Sequence, residues 1–337
     1  MIGLLRITGK IELDQFWPSG GSDADTSKVK VVVSPNSFEH AADGVHFKKT
    51  SAFLDAEVVG MKRGPVIDTK SRITVRLQGI DAPELHYQGA PLKKASEITE
   101  QLRKKYNELN KKKRRQYLAE SGTVALSKML NRHGAALIKC QVLSLVDRPT
   151  EVVDTYGRFV GNIRVDQQFE TDVNLWLVEK GWAYPTFYSS MTQEEIQGLL
   201  HAMKKGRETE NRVWDNYAMD ASKFEEDLLY RGEGVEIDPE ADLGPVLMPK
   251  LFRRQVAYRM QKAAGVFTGS FKAYLQKSPD DCFELQDFLN AGVHSAVGRK
   301  LVEFMDGNTF QIEPHEVVFR EKFSKLVDKN DNELNEF

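Results

Sequence analysis

The chain has 337 residues, 41% of them hydrophobic and 28% charged, which is ordinary for a globular protein of about two domains. The formal net charge of -2 excludes a polycation that binds nucleic acid through bulk charge, so any such binding requires a local basic patch. Cys140 and Cys282 are far apart in sequence, which argues against a zinc site or a disulfide framework. We interpret both as buried small hydrophobes.

The N-terminal sequence MIGLLRITGKIELDQFW lacks the basic start and the small-residue cleavage site of a signal peptide. No stretch of the chain approaches the length of a membrane span. We therefore expect a cytoplasmic protein.

The first half of the chain predicts mainly strands with two helices between them. Alternating apolar residues, bounded by turn-forming clusters such as WPSGGSDADTS, predict strands at 3–13, 28–33, 52–60, 72–80, 135–146 and 150–165. Apolar residues recur at spacings of three and four from Pro91 to about Glu120, which predicts an amphipathic helix, and a second helix is predicted at 122–132.

The second half predicts mainly helices. One is predicted at 172–180, and another runs from the capping box of Thr192 and Glu195 to about Arg212. Residues 215–250 are acidic and rich in Gly and Pro, which is typical of a linker. Helix-like windows follow at 251–264, 283–291 and 295–305, with enough apolar residues for a small core.

Three separated motifs carry charged groups next to predicted strands: Asp23-Ala24-Asp25-Thr26, RLQGIDAPE at 76–84, and DTYGR at 154–158. Each alone has an ordinary interpretation as a solvated turn, a strand end stopped by proline, or a hairpin corner with a glycine at positive φ. Catalytic groups also concentrate on loops at strand ends.

As an ordered set these motifs resemble the staphylococcal nuclease-like (thermonuclease) family, and the resemblance continues through DVNLWLVEKGWA at 172–183 and NRVW at 211–214. It implies an α+β fold, with a five-stranded OB-type β-barrel and helices over residues 1–217, interrupted by insertions near 34–60 and 91–121. Beyond it we predict a linker at 218–250 and a mostly helical accessory domain at 251–337.

The resemblance also implies a site for phosphodiester hydrolysis. It implies a divalent metal, with Ca²⁺ favoured and Mg²⁺ or Mn²⁺ left open, bound by Asp25, Asp81 and the backbone carbonyl of Ala82. It implies Arg76 and Arg158 as phosphate ligands and Glu84 as the carboxylate that faces the attacking water. Asp55 also precedes a predicted strand, and Asp25 is preferred because the D-x-D-T turn matches the family pattern.

Substrate contacts are expected from aromatic and basic side chains. Tyr156 resembles a groove-lining tyrosine, and Tyr184 and Tyr188 are candidates for stacking on bases. Residues 93–115 carry 10 basic and 3 acidic side chains, including Lys104 and Lys105. Such a run is commonly a solvated helix face, and beside Glu84 it is also a candidate phosphate-binding surface.

The sequence therefore predicts a metal-dependent endonuclease that cleaves DNA or RNA with little sequence specificity. The alternative is a non-catalytic OB-type module that binds nucleic acid or acts as a scaffold. Since a nuclease in the cytoplasm is a hazard, residues 218–337 are expected to restrain or target it, through occlusion of the groove, a protein partner or oligomerisation.

Overall fold

A computed structural model describes residues 2–44, 46–59, 64–94, 98–210, 212–235, 242–278, 280–292 and 295–337. In chain order the strands are β1 (Leu4–Glu12), β2 (Thr26–Val31), β3 (Phe38–Ala41), β4 (Lys48–Lys49), β5 (Glu57–Val59), β6 (Gly64–Pro65), β7 (Arg72–Leu77), β8 (Ile80–Asp81), β9 (Leu137–Leu145), β10 (Phe159–Val165), β11 (Thr171–Asp172), β12 (Tyr184–Pro185), β13 (Phe187–Tyr188), β14 (Asp281–Glu284), β15 (Arg299–Lys300), β16 (Met305–Asp306), β17 (Thr309–Phe310), β18 (Val317–Phe319) and β19 (Lys325–Val327). The helices are α1 (Glu100–Leu109), α2 (Ala119–Leu130), α3 (Val173–Glu179), α4 (Gln193–Thr209), α5 (Arg212–Asp215), α6 (Pro249–Ala264), α7 (Phe271–Leu275) and α8 (Leu285–Ala291).

Five strands close into a barrel in the order β1, β2, β7, β10, β9 and back to β1. The pairing of β7 with β10 is parallel and the other four pairings are antiparallel, which confirms the predicted α+β fold with a five-stranded barrel. Alternation explains the inward faces, since Ile73, Val75 and Leu77 of β7 are 0% exposed.

Along one edge, β1 pairs with two strands in turn. Its first half pairs with β3 and its second half, from Gly9 onward, pairs with β2. A Cβ atom at Gly9 would lie 2.5 Å from Cγ1 of Val29, so only glycine permits this close approach of the two strands.

Three predicted elements differ from the structure in length. The strand predicted at 150–165 is reduced to β10, and a 3-10 turn occupies Pro149–Val152. The strand predicted at 52–60 is reduced to β5, which pairs with β19 and β6 outside the barrel. The helix predicted from Pro91 starts only at Glu100, because Thr99 caps it by accepting a hydrogen bond from the Leu102 N–H. The intervening residues 95–97 lie outside the described part of the chain.

Other predicted boundaries agree closely. The capping box that opens α4 forms as predicted, with the Thr192 hydroxyl accepting from the Glu195 N–H and the Glu195 carboxylate accepting from the Thr192 N–H. Cys140 and Cys282 are both buried free thiols, as interpreted. No helix in the described ranges is long and apolar enough to cross a membrane.

The C-terminal part of the chain packs against the barrel side. It forms α6, α7 and α8 together with six short strands, and the window predicted as a helix at 295–305 is instead short strand and 3-10 turn. β18 pairs in parallel with β13, and β19 pairs with β5. Leu251 and Val318 belong to the same buried apolar cluster as Val75 of the barrel, so the core is continuous across the predicted linker.

Candidate active site at the barrel rim

The carboxylates of the RLQGIDAPE motif lie where β7 leaves the barrel. Asp81 ends β8, which pairs with β12, and Asp81 is 1% exposed. Glu84 is held through its backbone, since its N–H donates to Oε1 of Gln116 (3.0 Å) and its carbonyl accepts from the Gln116 N–H (2.7 Å). The backbones of Asp81 and Glu84 are therefore both held in place on the same rim.

Arg76 lies on β7, close to this rim. Its Nη2 donates a 2.6 Å hydrogen bond to the hydroxyl of Tyr188, and its guanidinium lies 4.5 Å from the centroid of that ring. Both side chains are buried, at 7% exposure each. Tyr188 thus orients the arginine rather than offering a free face for stacking on a base.

Arg158 is positioned by the DTYGR turn. The Asp154 carboxylate accepts from the backbone N–H of Tyr156 (2.9 Å) and of Arg158 (3.0 Å), and from Nε of Arg158 (2.8 Å). Gly157 has a φ of +83°, the left-handed region that glycine adopts freely, as the motif predicted. Asp154 is a positioning residue that the sequence motif contained without a role being assigned to it.

Thr26 contacts Arg158 and lies opposite Arg76 in the sheet. It lies opposite Arg76 in the β2–β7 register, and its hydroxyl accepts from Nη1 of Arg158 at 3.3 Å. The same hydroxyl lies 3.0 Å from Oδ1 of Asp25, and the Asp25 carbonyl accepts from the Leu77 N–H at 2.9 Å. The D-x-D-T turn is therefore fixed beside both arginines.

Four carboxylates interact at this rim. Burial raises the pKa of Glu84 to about 7, Arg253 opposes the rise, and Asp81 and Asp25 add to it. Burial, followed by the charges of Asp25 and Glu84, raises the pKa of Asp23 well above its usual range. The site therefore concentrates negative charge. Asp55, the alternative to Asp25, is exposed on a separate turn.

Arg253 is the cation that faces these carboxylates. Its Nη2 lies 3.1 Å from Oδ2 of Asp81, its Nη1 lies 3.3 Å from Oδ1 of Asp81, and Nη1 also pairs with Oε1 of Glu84. It comes from α6, in the part of the chain where the sequence predicted only an accessory helix. Nothing local in the sequence marks it, because the contact joins residues about half the chain apart.

Lys250, one turn before Arg253, completes the cationic side. Its Nζ lies 3.8 Å from the ring centroid of Phe319 and 5.5 Å from that of Tyr188. Burial lowers the pKa of Lys250 to about 8, although Asp280 at 4.0 Å opposes the change. This lysine was also not singled out in the sequence.

The three tyrosines expected to contact substrate lie in different environments. Tyr156 is 63% exposed and its ring lies 5.5 Å from the Arg158 guanidinium, so its face is accessible next to the site. Tyr184 is a correction: it is 0% exposed and its hydroxyl donates to the carbonyl of Val213 at 2.9 Å. A side chain enclosed in this way has no free face for a base.

The basic run at 93–115 is divided between surface and interior. Lys104 and Lys105 lie on the exposed side of α1, where Nζ of Lys104 is 2.8 Å from Oε1 of Glu100. Arg115 is buried and its Nη1 lies 2.6 Å from Oδ1 of Asp242. Arg114 is buried as well, at 4% exposure. The surface available to phosphates is therefore smaller than the run of basic residues suggested.

The donor chemistry of the rim fits a divalent cation. Asp25, Asp81 and the carbonyl of Ala82 offer oxygen ligands, and Oδ1 of Asp23 is buried with no hydrogen-bond partner among the described residues. The arrangement is not a closed metal site, since no group of three or more described His, Cys, Asp or Glu side chains is placed to hold an ion. Arg253 engages both oxygens of Asp81 instead.

Residues 74–216 match the family model described as staphylococcal nuclease homologue, which confirms the sequence resemblance over this range. The match includes Arg76, Asp81, Glu84 and Arg158. Asp25 and Arg253 lie outside it, on opposite sides. No curated protein matches the chain.

Proposed function

Because residues 74–216 form a staphylococcal nuclease homologue domain, with the role in nuclease action or nucleic-acid binding that this family suggests, we propose that the chain is a metal-dependent phosphodiesterase. In this proposal it acts as an endonuclease on DNA or RNA with little sequence specificity. The observation that carries the proposal is the convergence of two arginines, Arg76 and Arg158, on a rim that also holds Asp81 and Glu84.

The two arginines would hold the scissile phosphate. Arg76 keeps donors free beyond its bond to Tyr188, and Arg158 reaches the same side through Thr26. Two guanidinium groups can bind equatorial phosphate oxygens as their charge grows in the transition state. In this role both arginines would contact phosphate and not a base edge, which agrees with cleavage of low sequence specificity.

Glu84 would accept a proton from the attacking water. A carboxyl group whose pKa is raised to about 7 by burial is ionised in part near neutral pH and is a stronger base than an exposed glutamate. A divalent cation, Ca²⁺ in our preference and Mg²⁺ or Mn²⁺ otherwise, held by Asp25, Asp81 and the Ala82 carbonyl, would supply Lewis-acid polarisation of the phosphoryl oxygen. Tyr156 would stack against the nucleotide next to the phosphate.

The test is cleavage of labelled single-stranded DNA, duplex DNA and RNA in Ca²⁺, Mg²⁺, Mn²⁺ or EDTA. Wild type is compared with Glu84→Gln, Arg158→Ala and the control Arg164→Ala, whose half-exposed side chain lies on β10 near Asp172. We expect metal-dependent cleavage that falls by about 10³-fold in the first two variants and is kept in the control. Cleavage that survives both site variants would contradict the proposal.

A second candidate function is favoured by Arg253. Because its guanidinium engages Asp81 and Glu84, a rim that binds nucleic acid without cutting it is chemically consistent. Binding of labelled DNA with no cleavage in any of the three metals would select this non-catalytic function.

A further inference from the structure

Arg253 places a positive charge against the carboxylates of the rim. Four carboxylates interact at the rim, and the positive group in direct contact with Asp81 and Glu84 is the Arg253 guanidinium. The fork of the guanidinium matches the two oxygens of Asp81, at 3.1 and 3.3 Å. This is a charge-assisted contact to a buried carboxylate, and such contacts are among the strongest that a side chain makes.

The position of Arg253 is built into the fold. Leu251, Phe252 and Val256 of α6 are buried, which fixes the helix around the arginine. The start of the helix is also tied to Glu84 by one side chain: Nε2 of Gln116 donates to the Leu247 carbonyl at 2.8 Å, while its Oε1 accepts from the Glu84 N–H. The buried face of α6 and the Gln116 side chain thus hold the guanidinium next to the carboxylates.

Two cations on one carboxylate oppose each other, even though its oxygens have further lone pairs. Both oxygens of Asp81 are engaged by Arg253, and Glu84 shares Nη1. An ion that took Asp81 as a ligand would bring a second positive charge against the guanidinium in a buried place, where repulsion is weakly screened. Metal and Arg253 therefore compete at Asp81.

We propose that Arg253 is an internal competitor of the divalent cation, so that the site takes metal only when the guanidinium leaves Asp81 and Glu84. The proposal rests on the proposed function only in placing the metal at these carboxylates. Its consequence is that residues beyond the family match set the metal affinity of the nuclease site.

The test measures metal binding without nucleic acid. Ca²⁺ is titrated calorimetrically into wild type, Arg253→Met, Arg253→Lys and the neighbouring control Arg254→Met, whose arginine pairs with Asp280 instead. Removing a charge-assisted contact that competes with the ion is expected to tighten Ca²⁺ binding by about tenfold or more in Arg253→Met. Arg254→Met should match wild type. Equal dissociation constants in wild type and Arg253→Met would overturn the proposal.

The site of the gain is checked by a double variant. Asp81→Asn in the Arg253→Met background removes one ligand charge and should abolish the tighter Ca²⁺ binding. A gain that persists in the double variant would place the new ion elsewhere and would refute competition at Asp81.

The proposal can still be tested if Arg253→Met folds poorly. Arg253→Met leaves two buried carboxylates without their cation and lowers stability, so Arg253→Lys serves as the second variant. Lysine keeps the charge but lacks the planar fork, and about threefold tighter Ca²⁺ binding than wild type is expected. Calcium should also raise the melting temperature of this variant more than that of wild type; equal shifts, with equal affinities, refute the proposal.

Failure of the proposed function is separable from failure of this inference. If wild type cuts no substrate but Arg253→Met binds Ca²⁺ more tightly, competition by Arg253 is supported and the nuclease function is refuted. If wild type cuts in Ca²⁺ and Arg253→Met has the same Ca²⁺ affinity, the nuclease function is supported and competition by Arg253 is refuted.

Discussion

Tyr188 shows how one hydroxyl can fix the orientation of a buried arginine. Its hydroxyl accepts a 2.6 Å hydrogen bond from Arg76, and its ring lies against the guanidinium. Together these contacts hold the buried arginine in one orientation. Sequence alone suggested a tyrosine in a groove, because tyrosines that stack and tyrosines that orient look the same in one dimension. Only the register of distant segments distinguishes them.

Tyr188→Phe should therefore reduce cleavage by about tenfold, since it removes one hydrogen bond to a charged group and leaves Arg76 in place. The matched control is Tyr184→Phe, which loses the hydrogen bond to the Val213 carbonyl away from the arginines. We expect the control to lower the free energy of unfolding by about 1 kcal/mol and to keep kcat. Single-turnover cleavage and thermal melting separate the two effects; equal losses of cleavage would contradict the assignment of Tyr188.

Asp280 makes a second residue-scale prediction, on stability against pH. Burial alone would raise its pKa, but the hydrogen bonds and charge of Arg254, with Lys250, hold it well below its usual value. An acid with a lowered folded pKa stabilises the fold above its unfolded pKa of about 4, and this contribution is lost as the pH falls through the folded value. Asp280→Asn should lower the free energy of unfolding by about 2 kcal/mol at pH 7.

The deficit should shrink as the pH is lowered from about 4, when measured by urea unfolding at several pH values. Asp287→Asn is the control, because Asp287 is exposed on α8. A deficit that does not change between pH 7 and pH 2 would show that the interaction is not electrostatic.

At the scale of elements, the sequence predicted what local chemistry decides. Alternation located the barrel strands, and the capping box located the start of α4. The strand predicted at 52–60 was too long, because only the three residues of β5 pair with β19, far along the chain. The helix predicted from Pro91 was too long, because the preceding segment folds back and the Leu92 N–H donates to Oδ1 of Asn107.

The candidate site divides in the same way. The motif residues that lie on or next to barrel strands could be predicted, since β2, β7 and β10 bring them to one rim. Arg253, Lys250 and Gln116 could not, because their roles depend on contacts between segments that share no local pattern. The burial of Arg115 was hidden for the same reason, since its partner Asp242 is supplied by a distant loop.

Helix α1 gives the element-scale prediction. If Lys104 and Lys105 contact phosphates, replacing both with alanine should weaken binding of labelled single-stranded DNA in EDTA. It should also reduce the slope of log K against log salt by about 1.4, the value for two contacts. Lys204 and Lys205, an adjacent exposed pair on α4, are the matched control. Identical slopes for the two double variants would remove α1 from the binding surface.

At the scale of the whole molecule, the family segment and the remainder fold against one core. Leu326 of β19 is 0% exposed and belongs to the cluster that contains the barrel interior. Leu326→Ala should lower the free energy of unfolding by about 2–4 kcal/mol, as expected for a buried leucine. Lys325→Ala, on the exposed side of the same strand, should change it by less than about 0.5 kcal/mol.

Truncation after residue 217 tests the same packing more severely. The fragment would expose the apolar surfaces that now pack on α6 and β18 and would leave β13 without its partner, so we expect aggregation or loss of cooperative melting. A soluble fragment with a sharp melting transition and undiminished cleavage would show that the family segment folds by itself.

The pairing of β5 with β19 has a consequence for synthesis. β19 is translated long after β5, so at about 5–20 residues per second the earlier strand waits roughly 13–50 s for this partner. During that wait Asp81 and Glu84 also lack Arg253, which is translated long after them. A chain that ends within this interval would have an unpaired strand edge at β5 and would lack the Arg253 guanidinium beside Asp81.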